Sequence, residues 1–316
     1  MKLSAMLRML TKRGNSSITD LLHGLPTSTA ALESASEAEA TVNLPPDLSV
    51  AAPPQPSVLD LYVSSAPSPQ NAIDIFKGEW SSTLPEPFSH LSSGPSRLFD
   101  DARIHWLAEE IGGFTNKSVL ELGPLEAGHT YMVEKLGASS IVAIESNTHA
   151  FLKSLIIKEL FELKHARFLY GDFIAFLQQE ETPIFQVCLA SGVLYHMQNP
   201  VELIALLTRC CSEHLFLWTH YYDATIISAN PSLSPKFNDS AQSEYAGFQH
   251  TLYRQEYQAA LEWSGFCGGN APVSAWMTRA DIIRCLEYFG FEVQGINFEH
   301  PQHPNGPAIA LIAKRR

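Results

Sequence analysis

The chain is short of positive charge and has no paired cysteines. Its 316 residues carry 21 Lys and Arg against 33 Asp and Glu, a formal net charge of -12. A protein that grips a nucleic-acid backbone normally presents a basic surface, so this balance disfavours nucleic acid as a partner. The five cysteines (Cys188, Cys210, Cys211, Cys267 and Cys285) lack the paired spacing of a metal site. Their odd number and scatter fit a reducing compartment, and a cytoplasmic location is expected. No apolar run is long enough to span a membrane. The 12 histidines include no H-x-x-x-H pair, and no carboxylate cluster stands at ligand spacing, so no metal is expected. His300 and His303 share a Pro-rich loop and read as solvated residues. Neither G-x-G-x-x-G after a strand nor Gly-Lys-Ser/Thr before a helix occurs, which excludes the pyrophosphate fingerprint and the phosphate loop.

What is present is a real core, with 45% hydrophobic residues. Residues 1–70 read as a mostly disordered extension, because Ser, Ala and Pro dominate about 25 to 70 and hydrophobic periodicity is absent. Met1 to Arg13 sets Lys2, Arg8, Lys12 and Arg13 among Leu and Met. It reads as a short surface helix or a fraying end, not a secretory signal. The Val58–Val63 run is either a docking segment or an isolated apolar stretch, and its partner stays open. Residues 71–115 form a helical and looped lead-in over the cofactor site. Residues 116–316 form the core, with a substrate-side insert at about 221–270.

Apolar runs and helical stretches alternate through that core. Strands are expected at Val119–Leu122, Ser140–Ile144, Ala166–Tyr170, Phe185–Ala190 and Glu213–Thr219. Helices are expected at Thr130–Leu136, Thr148–Leu163 and Pro200–Arg209. Strands separated by helices of this length must pair in parallel, and their near-continuous apolar character fits burial on both faces. The rhythm breaks from Tyr221 to about Asn270, a stretch rich in Tyr, Ser, Asn and Gln. It returns with a helix from Thr278 to Phe289, with Thr278 as N-cap and Gly290 as terminator. Phe291–Phe298 and Ile309–Ala313 then read as an antiparallel hairpin closing the sheet. The fold class is α/β, a Rossmann-like seven-stranded sheet with an insert after the fifth strand.

The first strand ends in Glu121-Leu122-Gly123-Pro124-Leu125-Glu126-Ala127-Gly128-His129-Thr130. A strand, an acid, a glycine turn and a helix start make a nucleotide-type pocket. The acid would repel pyrophosphate and suits a cofactor with a cationic end. Glu145 ends the next strand, so the cofactor is held at strand tips.

The succession resembles the class I S-adenosylmethionine-dependent methyltransferases. Glu121, Gly123 and Gly128 match their first motif, with Leu125 where a middle glycine is usual. The resemblance implies S-adenosyl-L-methionine as the cofactor, Glu145 on its ribose hydroxyls, and Asp172 with Phe173 beside its adenine. Gly192-Val193-Leu194-Tyr195-His196 and Phe76-Lys77-Gly78 look more closely like the tRNA wobble-uridine group. There Lys77 and Tyr195 would meet the extra carboxylate of carboxy-S-adenosyl-L-methionine, the alternative donor.

Methyl transfer needs alignment more than activation, because the sulfonium is already reactive. A hydroxyl acceptor is helped by a nearby base, and His196 and His220 are the candidates. His129 follows the glycine turn and falls beside the cofactor's carboxylate. Tyr222 and Asp223, leaving the fifth strand, and Trp276 and Arg279, opening the late helix, are the candidate acceptor contacts. The function expected is methyl transfer to a hydroxyl or nitrogen of a small or medium-sized acceptor. A wobble-uridine alkyltransferase and a donor-free binding module are the alternatives.

Overall fold

The computed structural model describes residue 59 and residues 62–263 and 265–316. The basic start and most of the Pro-rich segment lie outside the described residues. The lead-in holds two helices, α1 (Pro69–Ile73) and α2 (Ala102–Glu110). Strands β1 (Ser118–Leu122), β2 (Ser140–Glu145), β3 (Ala166–Tyr170), β4 (Phe185–Ser191) and β5 (Cys211–His220) then follow. Between them run helices α3 (Gly128–Lys135), α4 (Thr148–Leu160), α5 (Phe173–Leu177) and α6 (Pro200–Cys210).

These five strands pair in parallel, as crossover helices require. The order across the seven-stranded sheet is β3-β2-β1-β4-β5-β10-β9. The last two, β9 (Phe291–His300) and β10 (Ala308–Arg315), are antiparallel to their neighbours. They close the sheet as the hairpin pattern predicts.

Alternation along the strands sorts the core onto the two faces of the sheet. Leu120, Cys188, Leu217 and Leu311 pack on one face with α6 and with α8 (Arg279–Tyr288). Val119, Val187, Phe216 and Ile312 pack on the other with α2, α3 and α4. Helix starts carry the caps their sequences advertise. Asn147 accepts from the Ala150 N–H, Asp172 from Ile174, Asn199 from Glu202 and Thr278 from Asp281.

The structure departs most from the sequence reading at the end of α4 and in the insert. Helix α4 stops at Leu160, and Glu162 two residues on takes a left-handed φ of 51°. The insert holds more regular structure than its composition suggests. After α7 (Ala224–Ala229) it forms a three-stranded antiparallel sheet of β6 (Asp239–Tyr245), β7 (Phe248–Glu256) and β8 (Val273–Trp276). Strand β6 is mostly exposed and polar on both faces, so it carries no alternation for a period-two reading to detect.

Candidate active site

The strand order reverses beside β1, whose neighbours β2 and β4 lead outward in opposite directions. Ligands in open α/β sheets bind beyond the carboxyl ends of the strands at such a point. A cavity of ≈ 660 Å³ lies there, lined by Gly123 after β1, Glu145 ending β2, Asp172 after β3 and Ser191–Gly192 after β4.

The turn after β1 is shaped by backbone conformation more than by glycine content. Gly123 has φ 64°, but Leu125 and Ala127 also sit in the left-handed region at 54° and 61°, which is uncommon without glycine. In that conformation the Leu125 N–H donates to Glu145 Oε2 at 3.3 Å. The Asn147 N–H donates to Oε1 at 2.8 Å. Glu145 therefore clamps two loops while facing the cavity. Burial pushes its carboxyl above the usual range, against the pull of those amides.

Gly128 serves packing. A Cβ there would lie 2.7 Å from the carbonyl oxygen of Leu98, so glycine lets the lead-in cross the start of α3. Nearby, the wholly buried Glu126 accepts from the backbone of Ser81 (2.7 Å) and Ser82 (3.0 Å) and from Lys153 Nζ (3.0 Å). This fully bonded buried charge ties the lead-in to the turn.

Seven of the residues expected on the cofactor line the cavity: Gly123, Gly128, His129, Glu145, Asp172, Phe173 and Tyr195. Two are placed elsewhere. Glu121 is buried beneath the turn, where its carboxylate accepts from the Thr130 hydroxyl of α3. Alternation along β1 turns it to the face that carries α3, and burial pushes its carboxyl up despite His129 and Thr130. Lys77 is exposed, because its neighbour Phe76 is the one turned inward, against the His149 ring at 5.1 Å.

Of the two candidate bases, His196 lines the cavity and His220 does not. Tyr257 fixes the tautomer of His196. The Tyr257 hydroxyl donates its one hydrogen to the Gly268 carbonyl at 3.1 Å. It must then accept from His196 Nδ1, 2.7 Å away. Nε2 is left with a lone pair. Burial and the neighbouring His220 lower the His196 pKa to about 4, so the ring is neutral at physiological pH.

His220 donates from Nδ1 to the Gly306 carbonyl at 2.8 Å and stacks on Trp276 with ring centroids 5.3 Å apart. Burial and His303 lower its pKa to about 4. It stands behind Tyr195, at 4.5 Å between centroids. The expected acceptor contacts also lie off the cavity wall. Tyr222 stacks on Tyr253 at 3.6 Å, and Asp223 caps α7. Trp276 is buried against Tyr195 and His220. Arg279 pairs with Glu299 at 2.9 Å.

In their place the wall holds residues that sequence reasoning missed: Arg103 of α2, Trp218 of β5, and the Cys267–Ala271 loop. The Arg103 guanidinium lies 4.6 Å from the Trp218 ring centroid. It also grips Asp101 through Nε and Nη2. His129 Nε2 bonds the same carboxylate at 2.9 Å. Burial would raise the Asp101 carboxyl, but these two partners outweigh it and hold it well below the usual range. The D-x-R spacing at Asp101 was the only local signal for Arg103.

No family model matches the sequence, and no curated protein matches it. Among solved structures, the N-terminal domain of EvdMO1 in the presence of SAH and D-fucose aligns with TM-score 0.56 and 18% identity, over 78% of this chain and 94% of that one. The same domain with SAH bound aligns over the same shares at TM-score 0.55 and 18% identity. The fold is the Rossmann-like methyltransferase fold. Magnesium protoporphyrin IX methyltransferase from Synechocystis PCC 6803 with bound SAH aligns at TM-score 0.46 and 13% identity, over 67% of this chain and 80% of that one. The lining from Gly123 to Ser191 comes from the tips of β1 to β4, and His196 follows β4 on the same cavity wall.

Proposed function

We infer that the protein is an S-adenosyl-L-methionine-dependent methyltransferase acting on a hydroxyl of a small or medium-sized acceptor. The observation that carries this reading is Glu145, a carboxylate clamped at the tip of β2 inside a strand-tip cavity. The residues present suit the donor. Glu145 keeps acceptor lone pairs for a ribose diol, and Asp172 with Phe173 offers an acceptor and an apolar face for an adenine. Gly123 and His129 border the end where the amino-acid portion belongs. When bound, this donor supplies an activated methyl group.

The chain's own part is alignment and proton removal. His196 Nε2 can accept a hydroxyl proton while Tyr257 and Gly268 hold the ring's orientation. A ring of such low basicity orients the hydroxyl and takes the proton as the new bond forms. Its acid limb in a pH–rate profile is expected near pH 4, with no loss around neutrality. The neighbour solved in the presence of D-fucose and SAH supports a small-molecule acceptor. Lys77 is exposed and off the cavity wall, so the unmodified donor is favoured over the carboxylated one.

Mass spectrometry of the small molecule that copurifies with the full chain tests the reading. S-adenosylmethionine or S-adenosylhomocysteine is expected. A carboxylated donor would restore the wobble-uridine alternative, and a dinucleotide or a nucleoside triphosphate would overturn the proposal.

A further inference from the structure

A second groove of ≈ 530 Å³ lies on the far side of Arg103 and Trp218, which line both it and the main cavity. Phe298, Glu299, His300 and His303 complete its wall. The chemistry of that wall is lopsided. Trp218 and Phe298 supply apolar ring surface. Glu299 is already paired with Arg279 at 2.9 Å.

Arg103 and His303, by contrast, each keep a hydrogen-bond donor with no acceptor among the described residues. Arg103 uses Nε and Nη2 on Asp101, and Nη1 is left over. His303 Nδ1 accepts from the Asn305 N–H at 3.2 Å, so the neutral ring carries its hydrogen on Nε2. Burial, His300 and Arg103 all lower the His303 pKa and keep the ring neutral. Apolar ring surface with a guanidinium and an imidazole N–H beside it suits a ligand that carries both a ring and an anion. Arg103 is held in place by Asp101 and stacked on Trp218, so its donor is pre-organised for a carboxylate.

We propose that this groove binds the acceptor, and that the acceptor is an aromatic carboxylate whose ring lies against Trp218 and Phe298 and whose carboxylate meets Arg103 and His303. The proposal deepens the methyltransferase reading and rests on it for the word acceptor. The ring-and-carboxylate site stands on the groove alone. Arg103 and Trp218 border both the groove and the main cavity, and on the cavity side the Trp218 ring lies 6.0 Å from that of Tyr195 between centroids.

The test is calorimetric titration of the full chain with benzoate, with benzyl alcohol and acetate as controls. Benzoate should bind saturably, and each control should bind at least about 10-fold more weakly, because one lacks the charge and the other the ring. Arg103→Gln and His303→Phe should each weaken benzoate by about 10-fold. The His303→Phe variant should keep the wild-type affinity for S-adenosylhomocysteine, which shows that it folds. Benzoate binding that is absent, matched by benzyl alcohol, or unchanged in both variants overturns the proposal. If S-adenosylhomocysteine fails to bind while benzoate follows the expected pattern, the donor reading falls and the groove stands. If S-adenosylhomocysteine binds and benzoate does not, the groove alone falls.

Discussion

The two walls of the cavity are assembled in different ways. On the strand-tip wall, Gly123, Glu145, Asp172 and Gly192 each come just after, or at, the end of a parallel strand. Parallel pairing alone brings those ends together. The opposite wall takes Arg103 from the lead-in, Trp218 from β5, Gly268 from the loop before β8 and, in the adjoining groove, His303 from the β9–β10 connection. Only tertiary packing makes these residues neighbours. One wall is therefore a consequence of the fold class, whereas the other is particular to this chain, as loops over a rigid scaffold commonly are.

The largest expected effect falls on His196, which Tyr257 and Gly268 of the particular wall hold in place. His196→Gln should slow methyl transfer to a hydroxylated benzoate by about 100- to 10,000-fold, the usual range for a lost general base. S-adenosylhomocysteine affinity measured by calorimetry should be unchanged. A parallel loss of both would erase the division between the walls.

On the strand-tip wall, Gly128→Ala should destabilise the protein by about 1–3 kcal/mol, as overpacking does, because its Cβ meets the Leu98 carbonyl. Urea denaturation reads this directly. Unchanged stability would mean that the lead-in does not bear on the turn.

Two buried histidines beside Tyr195, His196 and His220, give the stability a pH dependence. His196 and His220 have folded pKa values of about 4, against about 6.5 when unfolded. Between these values the unfolded chain binds more protons, so their contribution to stability is complete above about pH 6.5 and is lost as pH falls toward 4. The Tm should drop across that window, and less so in His220→Asn, which keeps a donor for Gly306. Glu121 and Glu145 have raised pKa values and act with the opposite sign, so the variant comparison is needed to isolate the histidines. The smallest effect is Lys77→Ala, which should leave affinity for either methyl donor unchanged by calorimetry. A loss specific to the carboxylated donor would bring Lys77 onto the strand-tip wall.

The same contrast explains what the sequence made legible. Strands β1 to β5, the closing hairpin and the cap at Thr278 follow from local periodicity and side-chain chemistry. The strand-tip placement of Glu145 was legible because it ends an apolar run. Glu121 lies beneath the turn and not on the cavity wall because the strand's alternation, not its tip position, decides which way its carboxylate points. The glycine pattern blurred where Leu125 and Ala127 adopt left-handed φ without being glycine. Tyr257 as the partner of His196, 61 residues away, and Arg103 beside Trp218 leave no trace in local sequence. The polar strand β6 leaves none either, since neither of its faces is buried in the core.

The most direct measurement of the central claim is calorimetric titration of S-adenosylmethionine into the full chain and into Glu145→Ala. The account predicts saturable single-site binding to the wild type. It predicts an affinity loss of about 10- to 100-fold in the variant, the scale of one or two charge-assisted hydrogen bonds, larger than the stability lost with the Leu125 and Asn147 hydrogen bonds. No binding to the wild type at millimolar donor, or equal affinity in the two proteins, would contradict it.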